Sequence, residues 1–152
     1  LQGAAAGGLI GTITRRTSMV RVRYVGDRMR PGVVAAAWHD SADAAFARMR
    51  AADLDAIPVV NDERVIGLVE HSVIGAAQRG GNWLGAVPVA NLMRRGVFMC
   101  RADDTLELAR SIMDRLEIGL LAVVDKAGRI VGVISRDRLA EPQRLSPAAL
   151  AA

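Results

Sequence analysis

Ile57-Pro58-Val59-Val60-Asn61 with Gly67-Leu68-Val69, and Leu121-Ala122-Val123-Val124-Asp125 with Gly132-Val133-Ile134, are one pattern written twice. At an offset of 64 residues Val59-Val60 falls on Val123-Val124, and the same offset carries Met29 onto Met93, Asp40 onto Asp104, Ala45 onto Ala109 and Met49 onto Met113. One extra residue near Gly128 moves the offset to 65, so that Gly67 meets Gly132 and Ile74 meets Leu139. The copies span residues 29–75 and 93–140. Self-similarity at a fixed period marks supersecondary units that bury their apolar faces against one another. Two units predict one compact pseudo-symmetric domain, not a solenoid.

Each copy contains the same elements in the same order. An apolar run (Val33 to Ala37; Val97 to Cys100) is expected as a buried strand. Acids three apart follow, Asp40 with Asp43 and Asp104 with Glu107, a capping-box spacing that predicts a helix start. Ala42, Ala45, Phe46 and Met49 lie on one helical face, as do Leu106, Ala109, Met113 and Leu116. At that spacing Met49 and Met113 read as core. Two hairpins are predicted, Ile57–Val60 with Val65–Val69 across Asn61-Asp62-Glu63, and Leu120–Val124 with Ile130–Ile134 across Asp125 to Gly128. A second helix follows each, at Ser72 to Gln78 and near Arg136 to Ala140, the latter stopped by Pro142. The expected class is α/β (α+β), with two pseudo-twofold-related β-α-β-β-α repeats packed through their sheets.

At 152 residues the chain is long enough for a proper core, and with 3% aromatics that core must be aliphatic. The expected organisation is a leader at 1–18, a first repeat at 19–81, a second at 82–141 and a tail at 142–152. Met19 to Tyr24 alternates polar and apolar residues, and reads as a short strand. No apolar run is long enough for a bilayer, so no membrane partner is expected. The single Cys100, in an apolar stretch, reads as a buried inert thiol and suits a reducing cytoplasm.

The pI near 10.5 is a local property. Residues 1–30 hold six Arg against Asp27 alone, while the repeats are close to neutral. This arm reads as a solvated leader in preference to a nucleic-acid or lipid contact, because no aromatic interleaves with its first Arg cluster. His39 and His71 occupy unrelated repeat positions, and neither neighbours a Ser or Cys as a triad would require, so no enzyme is expected. One Cys and two His leave no plausible zinc set.

With these residues the chain resembles a tandem pair of cystathionine β-synthase (CBS) domains over about residues 25–140. The matching strings are Met93, Asp104-Thr105-Leu106, Ala109, Met113, Val123-Val124-Asp125, Gly128 and Gly132-Val133-Ile134-Ser135 in the second copy. In the first they are Met29, Asp40, Ala45, Met49, Ile57-Pro58-Val59-Val60-Asn61 and Gly67-Leu68-Val69. The resemblance implies a flat module whose cleft has two pseudo-equivalent pockets for adenine nucleotides or related adenosyl ligands, and stacking of modules as a homodimer. It also implies that Ile57-Pro58 and Leu121-Ala122 line the adenine slots, and that a Gly–apolar–apolar–Ser/Thr string, two further residues and an Asp hold ribose and phosphate.

The chain departs from that pattern where a ligand would sit. In the second copy Ser135 fits, but Arg138 stands at the acid position and Asp137 one residue early. In the first, Glu70 replaces the hydroxyl and Val73 the acid, so that a carboxylate would repel phosphate and Val cannot hold a ribose. The expected pocket is therefore the second one, around Ser135, Arg136, Asp137 and Arg138. Its expected ligand is regulatory (AMP, ADP, ATP or S-adenosylmethionine), no cofactor is required, and the response passes to a separate effector protein. The competing readings are a ligand-independent dimerisation module and, more weakly, nucleic-acid contact through Arg15 to Arg30.

Overall fold

The computed structural model describes residues 23–140. The leader, most of the strand expected at Met19 to Tyr24, Pro142 and the tail lie outside the described residues. The strands are β1 (Arg30–Pro31), β2 (Ala36–Ala37), β3 (Ala56–Asn61), β4 (Arg64–Glu70), β5 (Arg94–Arg95), β6 (Met99–Arg101), β7 (Leu120–Val124) and β8 (Ile130–Ser135). The helices are α1 (Ala42–Ala52), α2 (His71–Arg79), α3 (Leu106–Leu116) and α4 (Arg136–Ala140).

Two four-stranded sheets result, in the orders β2-β3-β4-β5 and β1-β8-β7-β6. Registers obey the duplication: Ala36 faces Val59 as Cys100 faces Val123, both in parallel pairs, and both hairpins slip register at the same place, after Val59 and after Val123. The change of offset lies in the turns. Asp62 and Glu63 both have positive φ (49° and 67°), a two-residue turn of type I′. The second hairpin instead spans Lys126 to Gly128, with Gly128 at φ 83° and the Asp125 carboxylate accepting from the N–H groups of Ala127 and Arg129 at 2.9 Å. That extra turn residue is the step from 64 to 65.

Each sheet is completed by an exchanged strand that the sequence pattern does not announce. β1 opens the first copy but pairs with β8 of the second, Arg30 opposite Val133; β5 opens the second copy but pairs with β4 of the first, Arg94 opposite Leu68. Short 3₁₀ turns anchor both segments in matching ways. Val25 N–H donates to the Asp104 carbonyl and Val89 N–H to the Asp40 carbonyl, each at 2.8 Å. After the exchanged strand the chain turns back at Gly32 (φ 108°) and Gly96 (φ 157°). This return shortens the expected buried strands. Val33 and Val97 are 71% and 64% exposed, and only Ala36–Ala37 and Met99–Arg101 pair.

The helix starts also differ from the capping-box expectation. The caps are Ser41 and Thr105, whose hydroxyls accept from Ala44 and Leu108 N–H at 3.1 Å. Asp40 and Asp104 sit one residue earlier and accept from Ala37 and Arg101 N–H, closing the strand-to-helix turn. Partial burial pushes the Asp40 carboxyl up, but the Ala37 N–H and the Arg48 guanidinium outweigh it and hold it below its ordinary value. The expected helix faces are otherwise observed: Ala42, Ala45 and Met49, and Leu106, Ala109 and Met113, are buried. Both helices end on a left-handed residue, Asp53 and Glu117 at φ 54°, which turns Leu54 and Ile118 back onto the helix.

The core is aliphatic apart from Phe98, and no polar or charged side chain is buried among the described residues. One cluster lies under α1 and α2. The other, under α3, also takes in Ala56, Val65 and Leu68 from the first copy, so the sheets share a core where β3 meets β7. At the hairpin tips Arg129 reaches Glu63 at 3.7 Å.

The exchange requires glycine opposite it. A Cβ on Gly132 would lie 2.5 Å from the Arg30 carbonyl oxygen, and one on Gly67 would lie 2.8 Å from that of Arg94. Gly132→Ala is therefore expected to lower the urea-unfolding free energy by about 1–3 kcal/mol. Gly119→Ala, whose Cβ would meet nothing within 4 Å, is expected to cost under about 0.5 kcal/mol. Burial, and secondarily Asp104, push the Cys100 thiol up to about 12. A chromogenic disulfide reagent at pH 8 is expected to label Cys100 only as fast as the chain unfolds, and immediate labelling would contradict the buried placement.

Candidate functional site

The second hairpin delivers the chain from β8 directly into α4. The Arg136 N–H donates to the Gly119 carbonyl at 2.8 Å, fixing the start of α4 beside the entry to β7. Ser135, the last residue of β8, is half-buried, and its hydroxyl donates to the Asp137 carboxylate. The one-residue displacement of the acid therefore does not turn it away: Asp137 folds back over Ser135 and both line the same cleft. Arg136 lines it too, but its guanidinium is bonded to the Asp114 carboxylate at 2.5 Å and to the Ile118 carbonyl at 3.0 Å. It acts mainly as a strap between α3 and α4. Arg138 is exposed at the rim.

The opposite wall comes from the first copy. Asp53 and Leu54, turned out by the left-handed end of α1, face Ser135 and Asp137 across two adjoining lobes of about 420 and 470 Å3. The first lobe adds Arg30, Ala52, Val133 and Arg138. Arg30 arrives on the exchanged strand and donates to the Ala52 carbonyl, one of those left free at the helix C-terminus. The second lobe adds Asp55, Ala56, Gly119 and Leu120, which are pseudo-equivalent pairs, so it crosses the pseudo-twofold axis. Half-buried Leu54, backed by the buried Ala56, Leu120 and Val133, gives the cleft the apolar side that a flat ring would meet. The rim carries Arg30, Arg136 and Arg138 against Asp53, Asp55 and Asp137, with a hydroxyl beside a carboxylate for sugar hydroxyls.

The slot residues expected from the resemblance lie elsewhere. Ile57, Leu121 and Ala122 have no exposed surface and Pro58 is buried. Ile57 packs in the cluster of Met49 and Ile74. The cleft is lined at Ala56 and Leu120; alternation turns Ile57 and Leu121 to the opposite face, while Pro58 and Ala122 share the face of Ala56 and Leu120 but are buried further along the strands. Strand alternation carried that signal. Arg30 and Asp53 carried none, since one depends on the strand exchange and the other on the left-handed turn.

At the first copy's equivalent corner Glu70, His71, Ser72 and Val73 replace Ser135 to Arg138. The His71 ring stacks on Phe46 with centroids 4.7 Å apart, and Val73 is 39% exposed. No hydroxyl–carboxylate pair forms there. Among the described residues no cluster of three His, Cys, Asp or Glu side chains could hold a metal, and no helix is long and apolar enough to cross a membrane.

Known structures share this architecture at low identity. The CBS domain protein PAE2072 from Pyrobaculum aerophilum, solved with AMP, is 17% identical, with 85% of this chain and 99% of that chain covered and a TM-score of 0.71. The CBS domain pair of protein MJ0100, in complex with 5-methylthioadenosine and S-adenosyl-L-methionine, is 18% identical, covering 79% and 94% at a TM-score of 0.69. CBSX2 from Arabidopsis thaliana, a CBS-pair protein, is 23% identical, covering 78% and 92% at a TM-score of 0.65. The sequence model of the CBS domain matches twice, at residues 25–73 and 89–142. Both matched ranges begin at the 3₁₀ turns that anchor the exchanged strands, so sequence and topology define the same two units, and the chain belongs to the CBS domain family as a tandem pair.

Proposed function

We propose that this CBS pair is a regulatory sensor that binds an adenine nucleotide or adenosyl ligand in the cleft at Ser135 and Asp137, and signals to a separate partner protein. The observation that carries this reading is the pairing of Ser135 with Asp137 across from Asp53, Leu54 and Ala56. A hydroxyl and a carboxylate converge on a cleft with apolar walls and Arg30 and Arg138 at its rim. A ribose can take its hydroxyl contacts from Asp137, the base can lie against Leu54, Ala56 and Leu120, and an anionic group can meet Arg138 or Arg30. That neighbours were solved with AMP, and with 5-methylthioadenosine and S-adenosyl-L-methionine, supports the ligand class. Because the walls come from both copies, a bound ligand favours one relative arrangement of the repeats, and a partner reading that arrangement senses occupancy by population shift.

A second reading, ligand-independent assembly as a homodimer, draws on the first copy. Glu70 and Val73 remove its ribose and phosphate contacts, while Val73 on α2 and Leu108 on α3 stay 39% and 45% exposed. A dimer of unchanged mass with and without nucleotide, together with no thermal response, supports this reading.

Thermal unfolding with AMP, ADP, ATP and S-adenosylmethionine, with and without Mg²⁺, separates the two. Saturating ligand at 100 times Kd adds about 2.7 kcal/mol and is expected to raise Tm by several degrees. Ser135→Ala and Asp137→Asn are expected to abolish the shift, and Arg138→Asp, which puts an acid in place of a rim cation, is expected to reduce the shift with AMP, ADP and ATP. No shift with any ligand at about 5 mM sinks the sensor reading.

A further inference from the structure

A cavity of about 420 Å3 opens on the first sheet near the hairpin end, and shares no wall residue with the cleft at Ser135. Its walls are Trp38, Asn61, Ile66, Ala90, Met93 and Arg95. Ile66, Ala90 and Met93 are half-buried and form an apolar floor, while Asn61 and Arg95 are exposed and Trp38 is 44% exposed.

The duplication shows what is particular here. The matching positions around the second sheet are Ala102, Asp125, Val131, Gly26, Met29 and Pro31. The backbone is the same, since Ala90 N–H donates to the Trp38 carbonyl at 3.1 Å as Gly26 N–H does to the Ala102 carbonyl at 2.8 Å. The floor is retained, Ile66 for Val131 and Met93 for Met29. The rim is not: an indole, a carboxamide and a guanidinium stand where the second sheet has Ala102, Asp125 and Pro31. The Asp125 carboxylate is consumed by its own turn, accepting from Ala127 and Arg129 N–H. Around the first sheet the Trp38 indole N–H, the Asn61 carboxamide and the Arg95 guanidinium have no hydrogen-bond or ion-pair partner among the described residues. Three free polar groups therefore converge on an apolar floor, the arrangement of a small-molecule pocket, in a volume at the lower end of the usual range of about 300–1,000 Å3.

The rim's chemistry limits the ligand. Indole and guanidinium only donate hydrogen bonds, the carboxamide donates and accepts, and no carboxylate lines the wall. The guanidinium fork matches a carboxylate, and the indole face matches a ring. We propose that this cavity is a second, separate site for a planar aromatic carboxylate, with the ring against Trp38 and Met93, the carboxylate on Arg95 and a ring substituent on Asn61. The site is independent of the adenosyl cleft and stands or falls separately from it.

The test is a titration of the full ¹⁵N-labelled chain with 4-hydroxybenzoate, followed through the Trp38 indole N–H signal, which Trp38→Phe identifies. A saturable shift of the Trp38 and Arg95 side-chain signals, with Trp83 unmoved, is expected. Arg95→Ala is expected to weaken binding about tenfold or more, as is replacing the probe by neutral 4-hydroxybenzyl alcohol. Ser135→Ala is expected to leave it unchanged. The proposal is overturned by no saturable shift up to about 10 mM, by equal movement of Trp38 and Trp83, or by unchanged affinity in Arg95→Ala or for the neutral alcohol.

Discussion

In both sheets a two-residue strand runs so close to its neighbour that the facing position has no room for a side chain. β1 crosses Gly132 and β5 crosses Gly67, each with a carbonyl oxygen where a Cβ would stand. The rest of the architecture depends on this approach. It lets the opening segment of each copy complete the other copy's sheet, seats Val25 and Val89 in the cores at 0% exposure, and makes each unit's structure contingent on its twin. It also sets the cleft. Arg30 reaches Ala52 and the rim near Arg138 only because the start of the first copy is held on the second copy's sheet.

The parts of the fold that follow local rules were legible in the sequence. Helix faces with Met49 and Met113 inward, hairpins around Asp62-Glu63 and Asp125 to Gly128, and the extra turn residue all reflect periodicity or turn chemistry, which act over a few residues. The misread parts depend on distant partners. Val33 and Val97 look like strand residues, yet they lie on the return from an exchange specified elsewhere. Asp40 and Asp104 have the right type to cap a helix, but the neighbouring hydroxyls of Ser41 and Thr105 reach the helix N–H groups, and the carboxylates close the preceding turn instead.

The candidate site divides in the same way. Ser135 and Asp137 follow from a short string, and the structure joins them. Whether an acid one residue early would face the cleft was not decidable from helical rotation alone, because α4 is a five-residue helix whose first turn hangs on the Gly119 carbonyl. Arg136 reads as a ligand residue by position and is largely taken by Asp114 and Ile118. Strand alternation separates Ala56 and Leu120 from Ile57 and Leu121, but only knowledge of which face the other sheet covers says which pair meets the cleft.

Duplication imposes equivalence on a backbone, and side chains are where the copies can differ without disturbing it. Buried positions change little in kind between the copies, Met49 and Met113 or Val59 and Val123, because a close-packed interior resists changes of volume. Exposed positions carry no such constraint, and the differences collect there in two places: the corner of Ser135 to Arg138 against Glu70 to Val73, and the rim of Trp38, Asn61 and Arg95 against Ala102, Asp125 and Pro31. At the first, the second copy holds the hydroxyl–carboxylate pair. At the second, the first sheet holds the free donors. The two sheets thus share one backbone and differ in side-chain chemistry at these two places, each carrying polar groups that its counterpart lacks.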